Sequence, residues 1–136
     1  MQKVTKIDLP KILDNRGNLS FFEDNNPIPF KIKRVYWIYD VPGGEMRGSH
    51  AFKDSQEVII ALAGSFDVVV NDGKEEKVYT LNRSYYCLYV PKMTWRYLNN
   101  FSTNSLAFIA SDTNYDDNQY IYDFDKYKKL INEENE

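Results

Sequence analysis

The amino-acid sequence predicts one all-β domain that ends in a short helix. The chain has 136 residues, a length that suits a single domain and is short for two. Short runs of β-branched and aromatic residues recur at intervals of roughly 8 to 12 residues, a pattern typical of β-sandwiches and barrels. We therefore expect residues 1–136 to fold around one core.

Seven segments have this strand character and are bounded by turn-forming residues. They are Arg34–Tyr39, Gln56–Ala61, Ser65–Val70, Lys77–Leu81, Tyr85–Val90, Trp95–Leu98 and Leu106–Ala110. Asn71-Asp72-Gly73 lies between two of them and predicts a hairpin, because glycine accepts the positive φ of a tight turn. Pro42-Gly43-Gly44 ends the first strand, and we expect a loop after it.

The hydrophobic period changes near the end of the chain. Tyr120, Phe124, Tyr127 and Ile131 recur at the spacing of one helix face, with charged residues between them. This stripe predicts a helix at about residues 118–131 that packs on the β-domain. Residues 112–136 contain eight acidic and three basic residues, so we expect an acidic tail on a mildly basic body.

Composition excludes several classes of protein. One cysteine cannot form an intrachain disulfide, and one histidine with one cysteine is too few for a structural zinc site. The net charge of -3 argues against a nucleic-acid partner. No window approaches about 18 unbroken apolar residues, and the charges in residues 1–11 do not fit a signal peptide. We expect a soluble, cytoplasmic protein without a membrane partner.

The single histidine lies in a segment with a characteristic spacing. It reads Gly44, five residues, His50, one residue, Phe52, four residues, Glu57, six residues, Gly64. This spacing is similar to the first motif of the cupins, except that Phe52 occupies the place of a second histidine. A small cupin-type jelly-roll barrel agrees with the number of predicted strands.

The second cupin motif has a counterpart further along the chain. Pro91, Arg96 and Asn100 lie where that motif has its proline, its last histidine ligand and its asparagine. The four positions at which a metal-binding cupin holds its ion here carry His50, Phe52, Glu57 and Arg96. Phenylalanine cannot coordinate a metal and arginine is a permanent cation. We therefore expect no metal and a pocket suited to an anionic or oxygen-rich ligand.

A more specific resemblance covers nearly the whole chain. It is carried by Asp14–Gly17, Arg34–Asp40, Arg47–Lys53, Ala63–Asp67, Val70–Gly73, Leu88–Pro91, Trp95, Asn100–Ser102, Ala110–Asp112 and Tyr115–Asp116. In these stretches the chain resembles the sugar 3,4-ketoisomerases of the WxcM-like cupin family. One departure is clear, because the family's usual His-Ala-His reads His50-Ala51-Phe52 here.

The resemblance implies an activity, a substrate and an assembly. Such proteins convert dTDP-4-keto-6-deoxyglucose to a dTDP-3-keto-6-deoxyhexose, without metal or cofactor, on the route to deoxyaminosugars of bacterial surface glycans such as lipopolysaccharide. They are typically homodimers that exchange strands. We expect the same of this chain.

The expected reaction removes the C3 proton of the sugar and returns a proton to C4 through an enediol. His50 is the predicted base, because an unperturbed imidazole has a pKa of about 6.5. A tyrosine hydroxyl, from Tyr36 or Tyr39, or a water molecule is expected to move the proton between the two oxygens. Only one of these tyrosines can face the interior, because strand residues three apart point to opposite sides.

Four arginines are candidate contacts for the substrate, because guanidinium groups bind phosphate bidentately. They are Arg16, Arg34, Arg47 and Arg96. Glu57 is placed by the motif either in the pocket or at the barrel rim. Two alternatives to the isomerase stay open: a metal-free binding module and an epimerase acting on a related nucleotide sugar. Phe52 keeps the binding module open, because it removes one histidine that the chemistry could use.

Overall fold

The computed structural model of the protein describes residues 3–135. In this part of the chain, two antiparallel sheets of five strands each form the body of the protein. The strands are β1 Thr5–Asp8, β2 Lys11–Ile12, β3 Leu19–Ser20, β4 Arg34–Tyr39, β5 Arg47–Phe52, β6 Glu57–Ala63, β7 Phe66–Asn71, β8 Glu76–Leu81, β9 Tyr86–Val90, β10 Trp95–Asn99, β11 Leu106–Ser111 and β12 Tyr120–Ile121. The first sheet has the order β1-β9-β6-β11-β4 and the second has the order β12-β5-β10-β7-β8. Strands β2 and β3 pair with each other. The predicted all-β class is confirmed.

The main hydrophobic core fills the space between the two sheets. Its fully buried members from the first sheet are Ile59, Leu88, Ala107 and Ile109, and those from the second are Val68 and Leu98. Alternation along the strands directs these side chains inward. Full burial of each valine, leucine or isoleucine side chain contributes about 1.5–3 kcal/mol, so this layer stabilises the face-to-face packing of the sheets.

Further layers cover parts of the outer faces. On the first sheet, the N-terminal segment contributes Leu9 and Ile28 to a cluster with Val58 of β6. On the second sheet, helix α1 (Phe124–Glu134) places Tyr127 in a cluster with Trp95 of β10. Among residues 3–135, no helix has both the length and the apolar character that crossing a membrane requires.

The predicted hairpin joins β7 and β8. Val68 pairs with Tyr79 and Val69 with Val78. At the turn, the backbone N–H of Gly73 donates to Asn71 Oδ1 at 2.7 Å, and Gly73 has a φ of +96°. A Cβ at Gly73 would lie 2.7 Å from Ile131 Cγ2, so both the turn and the contact with α1 require glycine.

The segment with the histidine is a strand, which the sequence did not predict. Residues 47–52 form β5 because they pair with β10 on one side and β12 on the other. The glycines and prolines just before this segment favoured a loop, yet the chain turns back into the sheet after them. All seven predicted strands are present, with bounds that differ by at most two residues.

The C-terminal helix begins later than the predicted 118–131. Asp123 caps α1, because its Oδ1 accepts hydrogen bonds from the backbone N–H groups of Asp125 and Lys126. Tyr120 and Ile121 are instead extended and pair with Phe52 and Ala51 of β5. Tyr120 therefore belongs to the sheet that carries His50.

Candidate active site

A cavity of about 390 Å³ lies where residues of the first sheet meet residues of the second. Its lining residues are Tyr36, Trp37, Ile38, Arg47, Gly48, Ser49, His50, Arg96, Tyr120 and Tyr122. They come from β4 of the first sheet, from β5, β10 and β12 of the second, and from the residue after β12. The jelly-roll packing thus brings together residues that lie far apart in the sequence.

A buried ion pair lies next to this cavity, and its arginine lines the cavity wall. Arg96 Nε donates to Glu57 Oε1 at 2.7 Å, and Arg96 Nη2 lies 3.3 Å from Glu57 Oε2. Both side chains are at most 2% exposed. Arg96 Nη1 also donates to the carbonyl oxygen of Gly48 at 2.9 Å. A Cβ at Gly48, whose φ is +73°, would collide with Arg96 Nη1, so this strand position requires glycine.

Tyr36 completes the ion-pair network. Its hydroxyl donates to Glu57 Oε2 at 2.9 Å and accepts from Arg96 Nη2 at 3.0 Å. Burial, followed by the negative charge of Glu57, raises the pKa of Tyr36 well above its usual range. Burial is the largest single influence on Arg96 and lowers its pKa, but the charge of Glu57, the neighbouring Tyr36 and the hydrogen bonds to Glu57 together outweigh it and hold the pKa of Arg96 above its ordinary value. Tyr36 therefore keeps its proton, and Arg96 keeps its charge.

His50 lies directly across from Arg96 in the β5–β10 ladder. The side chain is 6% exposed. Burial, followed by the positive charges of Arg96 and Arg34, lowers the pKa of His50 to about 2. The imidazole is neutral at physiological pH and has a lone pair with which it can accept a proton.

Two further arginines lie close to the cavity without a carboxylate partner. The ion pairs between side chains of residues 3–135 are Arg96–Glu57 and Arg16–Asp14. Arg34 Nη2 donates to the hydroxyl of Tyr120 at 3.2 Å, and its guanidinium lies 4.8 Å from the ring centroid of Tyr36. Arg47 lines the cavity. The local charge is therefore positive, which suits an anionic ligand.

The structure separates the predicted site residues into two groups. His50, Tyr36, Arg47 and Arg96 line the cavity. Arg34 contacts the cavity residues Tyr36 and Tyr120, and Glu57 is fully buried behind Tyr36 and Arg96, so it lies neither on the cavity wall nor at an exposed rim.

Tyr39 and Arg16 are not part of this cluster. Tyr39 is 61% exposed on the outer face of β4, because it lies an odd number of residues from Tyr36. Tyr39 therefore does not line the cavity of its own chain, where the sequence had made it a candidate catalytic residue. Arg16 lies in the turn between β2 and β3, where its side chain is 87% exposed and paired with Asp14 at 2.7 Å.

Tyr120 and Tyr122 line the cavity although the sequence did not predict them as site residues. Their rings stack at 5.4 Å with an interplanar angle of 12°. Tyr122 also donates a hydrogen bond to Asp117 Oδ1 at 3.0 Å. The two-residue strand β12 is too short to show a period, and Tyr120 matched the helical stripe. The one feature of the sequence that could have indicated their role is the close spacing of three tyrosines, at 115, 120 and 122.

The residues at the cupin metal positions do not fit a metal ion. Phe52 offers no donor atom, and both carboxylate oxygens of Glu57 accept hydrogen bonds from Arg96 or Tyr36. A cation at this place would have to displace the guanidinium of Arg96. Between residues 3 and 135, no group of three or more His, Cys, Asp or Glu side chains is arranged to hold a metal.

The fold and the cavity define a cupin-type jelly roll with an ion-paired arginine at a usual metal-ligand position. Comparison with known proteins agrees and is more specific. The FdtA family, described as WxcM-like, C-terminal, matches residues 2–132. The chain belongs to this family.

Several proteins of named activity align with most of the chain. A TDP-4-oxo-6-deoxy-alpha-D-glucose-3,4-oxoisomerase of Aneurinibacillus thermoaerophilus is 39% identical over 125 residues, which cover 92% of this chain and 90% of that protein. The crystal structure of a 3,4-ketoisomerase from Helicobacter canadensis matches with a TM-score of 0.93 and 36% identity, over 97% of this chain and 99% of that one. A mutant of the 3,4-ketoisomerase QdtA from Thermoanaerobacterium thermosaccharolyticum, in complex with TDP-4-keto-6-deoxyglucose, matches with a TM-score of 0.94 and 31% identity, over 98% and 96% of the two chains.

Breaking the buried ion pair is expected to destabilise the fold. Glu57→Gln leaves the charge of Arg96 buried without a partner, and we expect a loss of about 3 kcal/mol or more in the free energy of unfolding. Urea denaturation measures this loss. The matched control is Asp14→Asn at the exposed Arg16–Asp14 pair, where we expect no measurable change. Equal effects of the two substitutions would contradict the structural role of Glu57.

The lowered pKa of His50 predicts a pH dependence of stability. Below the unfolded value of about 6.5, the unfolded chain binds a proton at this residue and the folded chain does not. The stability therefore falls as the pH decreases, by about 1.4 kcal/mol per pH unit from this residue. In His50→Asn this contribution is absent. From pH 7 to pH 5, the free energy of unfolding of the wild-type protein should therefore fall by about 2 kcal/mol more than that of the variant. A difference that does not change with pH would contradict the buried, neutral state of His50.

Proposed function

We propose that the protein is a metal-independent sugar-nucleotide 3,4-ketoisomerase that acts on TDP-4-keto-6-deoxyglucose. The observation that carries this proposal is a neutral, buried His50 on a cavity whose other walls hold the Tyr36 hydroxyl and a group of guanidiniums. The names of the relatives support the same reaction. A cytoplasmic location and a role in making deoxyaminosugars for bacterial surface glycans belong to this proposal.

The cavity residues can carry out each proton transfer of the isomerisation. His50 removes the C3 proton, which is acidified by the neighbouring C4 carbonyl, and the electron pair forms a C3–C4 double bond with negative charge on O4. The guanidinium of Arg96 and the hydroxyl of Tyr36 stabilise that charge. The proton of the C3 hydroxyl passes to O4 through Tyr36. His50 then gives its proton to C4, which leaves the ketone at C3 and restores the neutral imidazole.

Two of the remaining arginines are the proposed contacts for the diphosphate of the nucleotide. Arg34 and Arg47 have no carboxylate partner in the described part of the chain, so they can form charge-assisted hydrogen bonds with a diphosphate. Glu57 is already saturated by Arg96 and Tyr36 and acts on the substrate only through them. Addition of a chelator is expected to leave the activity unchanged.

Incubation with TDP-4-keto-6-deoxyglucose in D₂O tests the proposed function. We expect a 3-keto product, identified by NMR, which carries deuterium at C4 to the extent that the proton on His50 exchanges with the solvent before it is returned. Because general acid–base catalysis contributes roughly 10²- to 10⁴-fold, His50→Asn should lose at least about 100-fold in kcat. Tyr36→Phe should also lose activity, whereas Tyr39→Phe, on the outer face of the same strand, is the matched control and should keep it.

Other outcomes of that experiment favour the alternatives. Exchange at C3 or C5 without a moved ketone would indicate an epimerase. Binding of the nucleotide sugar without any exchange would indicate a binding module. Full activity of His50→Asn would contradict the proposed mechanism.

We also propose that the active protein is a homodimer. Val35, Trp37 and Tyr39 on the outer face of β4 are between 45% and 61% exposed, and Trp37 and Tyr39 border a shallow hollow of about 580 Å³. An apolar patch of this kind is typical of an interface. The β2–β3 hairpin also exposes the apolar side chain of Leu13, which adds to the apolar surface available to a second copy.

A charged residue in the patch tests this assembly. Trp37→Lys removes the largest apolar side chain of the patch, and sedimentation equilibrium should show a shift from dimer to monomer. Val78→Lys on β8 of the second sheet, where Val78 is 60% exposed, is the control and should remain dimeric. A monomeric wild-type protein would contradict the proposed dimer.

A further inference from the structure

Two aromatic rings, those of Phe52 and Tyr120, pack against His50. The ring centroids of His50 and Phe52 are 4.6 Å apart, those of His50 and Tyr120 are 4.8 Å apart, and those of Phe52 and Tyr120 are 4.7 Å apart. All three interplanar angles lie between 65° and 68°, so every pair meets edge to face. We call His50, Phe52 and Tyr120 the three-ring cluster.

Backbone pairing fixes this cluster. His50 and Phe52 lie two residues apart on β5 and so point to the same face of the sheet. Tyr120 of β12 is the register partner of Phe52. The hydrogen bond from Arg34 Nη2 to the Tyr120 hydroxyl holds the third ring in place. The imidazole therefore has little freedom to rotate between its neighbours.

The two nitrogens of His50 have different surroundings. Nδ1 is fully buried and has no hydrogen-bond partner among the described residues. Nε2 lies on the side of Gly48 and Arg96, because a Cβ built on Gly48 would approach His50 Nε2 to 3.9 Å and would collide with Arg96 Nη1. Those two residues line the cavity. Nε2 thus faces the place where a substrate would bind.

A base that acts through Nε2 must carry its proton on Nδ1. In most functional histidines that N–H donates to a carboxylate or a backbone carbonyl, which fixes the tautomer. His50 has no such acceptor in the described structure. The faces of the neighbouring rings carry the negative part of the aromatic quadrupole and can accept an N–H weakly.

We propose that Phe52 and Tyr120 are positioning residues that hold the Nδ1–H of His50 against their ring faces and leave Nε2 unprotonated toward the cavity. Phe52 then orients His50 from the position at which relatives are expected to have a second histidine. The importance of this tautomer for catalysis rests on the proposed function. The tautomer itself does not, because it exists in the free protein.

The single histidine of the chain makes the tautomer directly measurable. A long-range ¹H–¹⁵N correlation spectrum of the ¹⁵N-labelled protein without a histidine tag contains the imidazole signals of His50 alone. Near pH 7.5, we expect the chemical shifts of a protonated Nδ1 and an unprotonated Nε2. A protonated Nε2 in the free wild-type protein would overturn the proposal, whatever the protein does with a sugar.

Variants separate positioning from simple packing. Phe52→Leu keeps an apolar side chain but removes the ring face, and we expect a mixture of tautomers and a roughly fivefold fall in kcat with little change in KM. Phe52→Tyr retains the ring face and should restore both readouts. Phe101→Leu removes a ring that packs on Phe66 at 5.4 Å, away from the cavity, and should leave the tautomer unchanged.

Tyr120→Leu provides a second test if Phe52→Leu does not fold, with the same expected loss of the fixed tautomer. A folded Phe52→Leu or Tyr120→Leu protein that keeps the wild-type tautomer overturns the proposal. If the wild-type protein shows the expected tautomer but does not isomerise the sugar, the proposed function fails and the positioning of His50 stands.

Discussion

The ion pair between Arg96 and Glu57 is the interaction on which the site depends. It connects the two sheets next to the cavity, and both charges are removed from water. Burial of two charges is unfavourable unless hydrogen bonds satisfy the remaining polar atoms. Here the Gly48 carbonyl and the Tyr36 hydroxyl provide those bonds. The ion pair therefore connects β6 and β10 to β5 and β4 through these hydrogen bonds.

The same pair assigns different tasks to the other groups. Glu57 is neutralised by Arg96, so it is available neither as a metal ligand nor as a free base. The charge of Arg96 adds to burial in keeping His50 neutral, and a neutral imidazole is the form that accepts a proton. Arg34 has no carboxylate partner in the described region, which leaves it free for an anion. A fold that commonly holds a metal can thus perform proton transfer with its own side chains.

The sequence predicted those parts of the structure that depend on local pattern. The strand runs, the turn at Gly73 and the spacing around His50 are all periodic or motif-like signals, and each lies where expected. Strand alternation allowed only one of Tyr36 and Tyr39 to face inward, but the sequence did not show which of the two does. Strand β12 escaped prediction because two residues show no period and its pairing with β5 is long-range. Tyr120 was for that reason assigned to a helix.

The most direct test of the proposed role of His50 is the structure of a complex between His50→Asn and TDP-4-keto-6-deoxyglucose. We expect the sugar in the cavity, with C3 facing residue 50, an oxygen near Tyr36 and the diphosphate near Arg34 or Arg47. A sugar bound elsewhere, or bound in the cavity with C3 and C4 turned away from residue 50, would contradict that role.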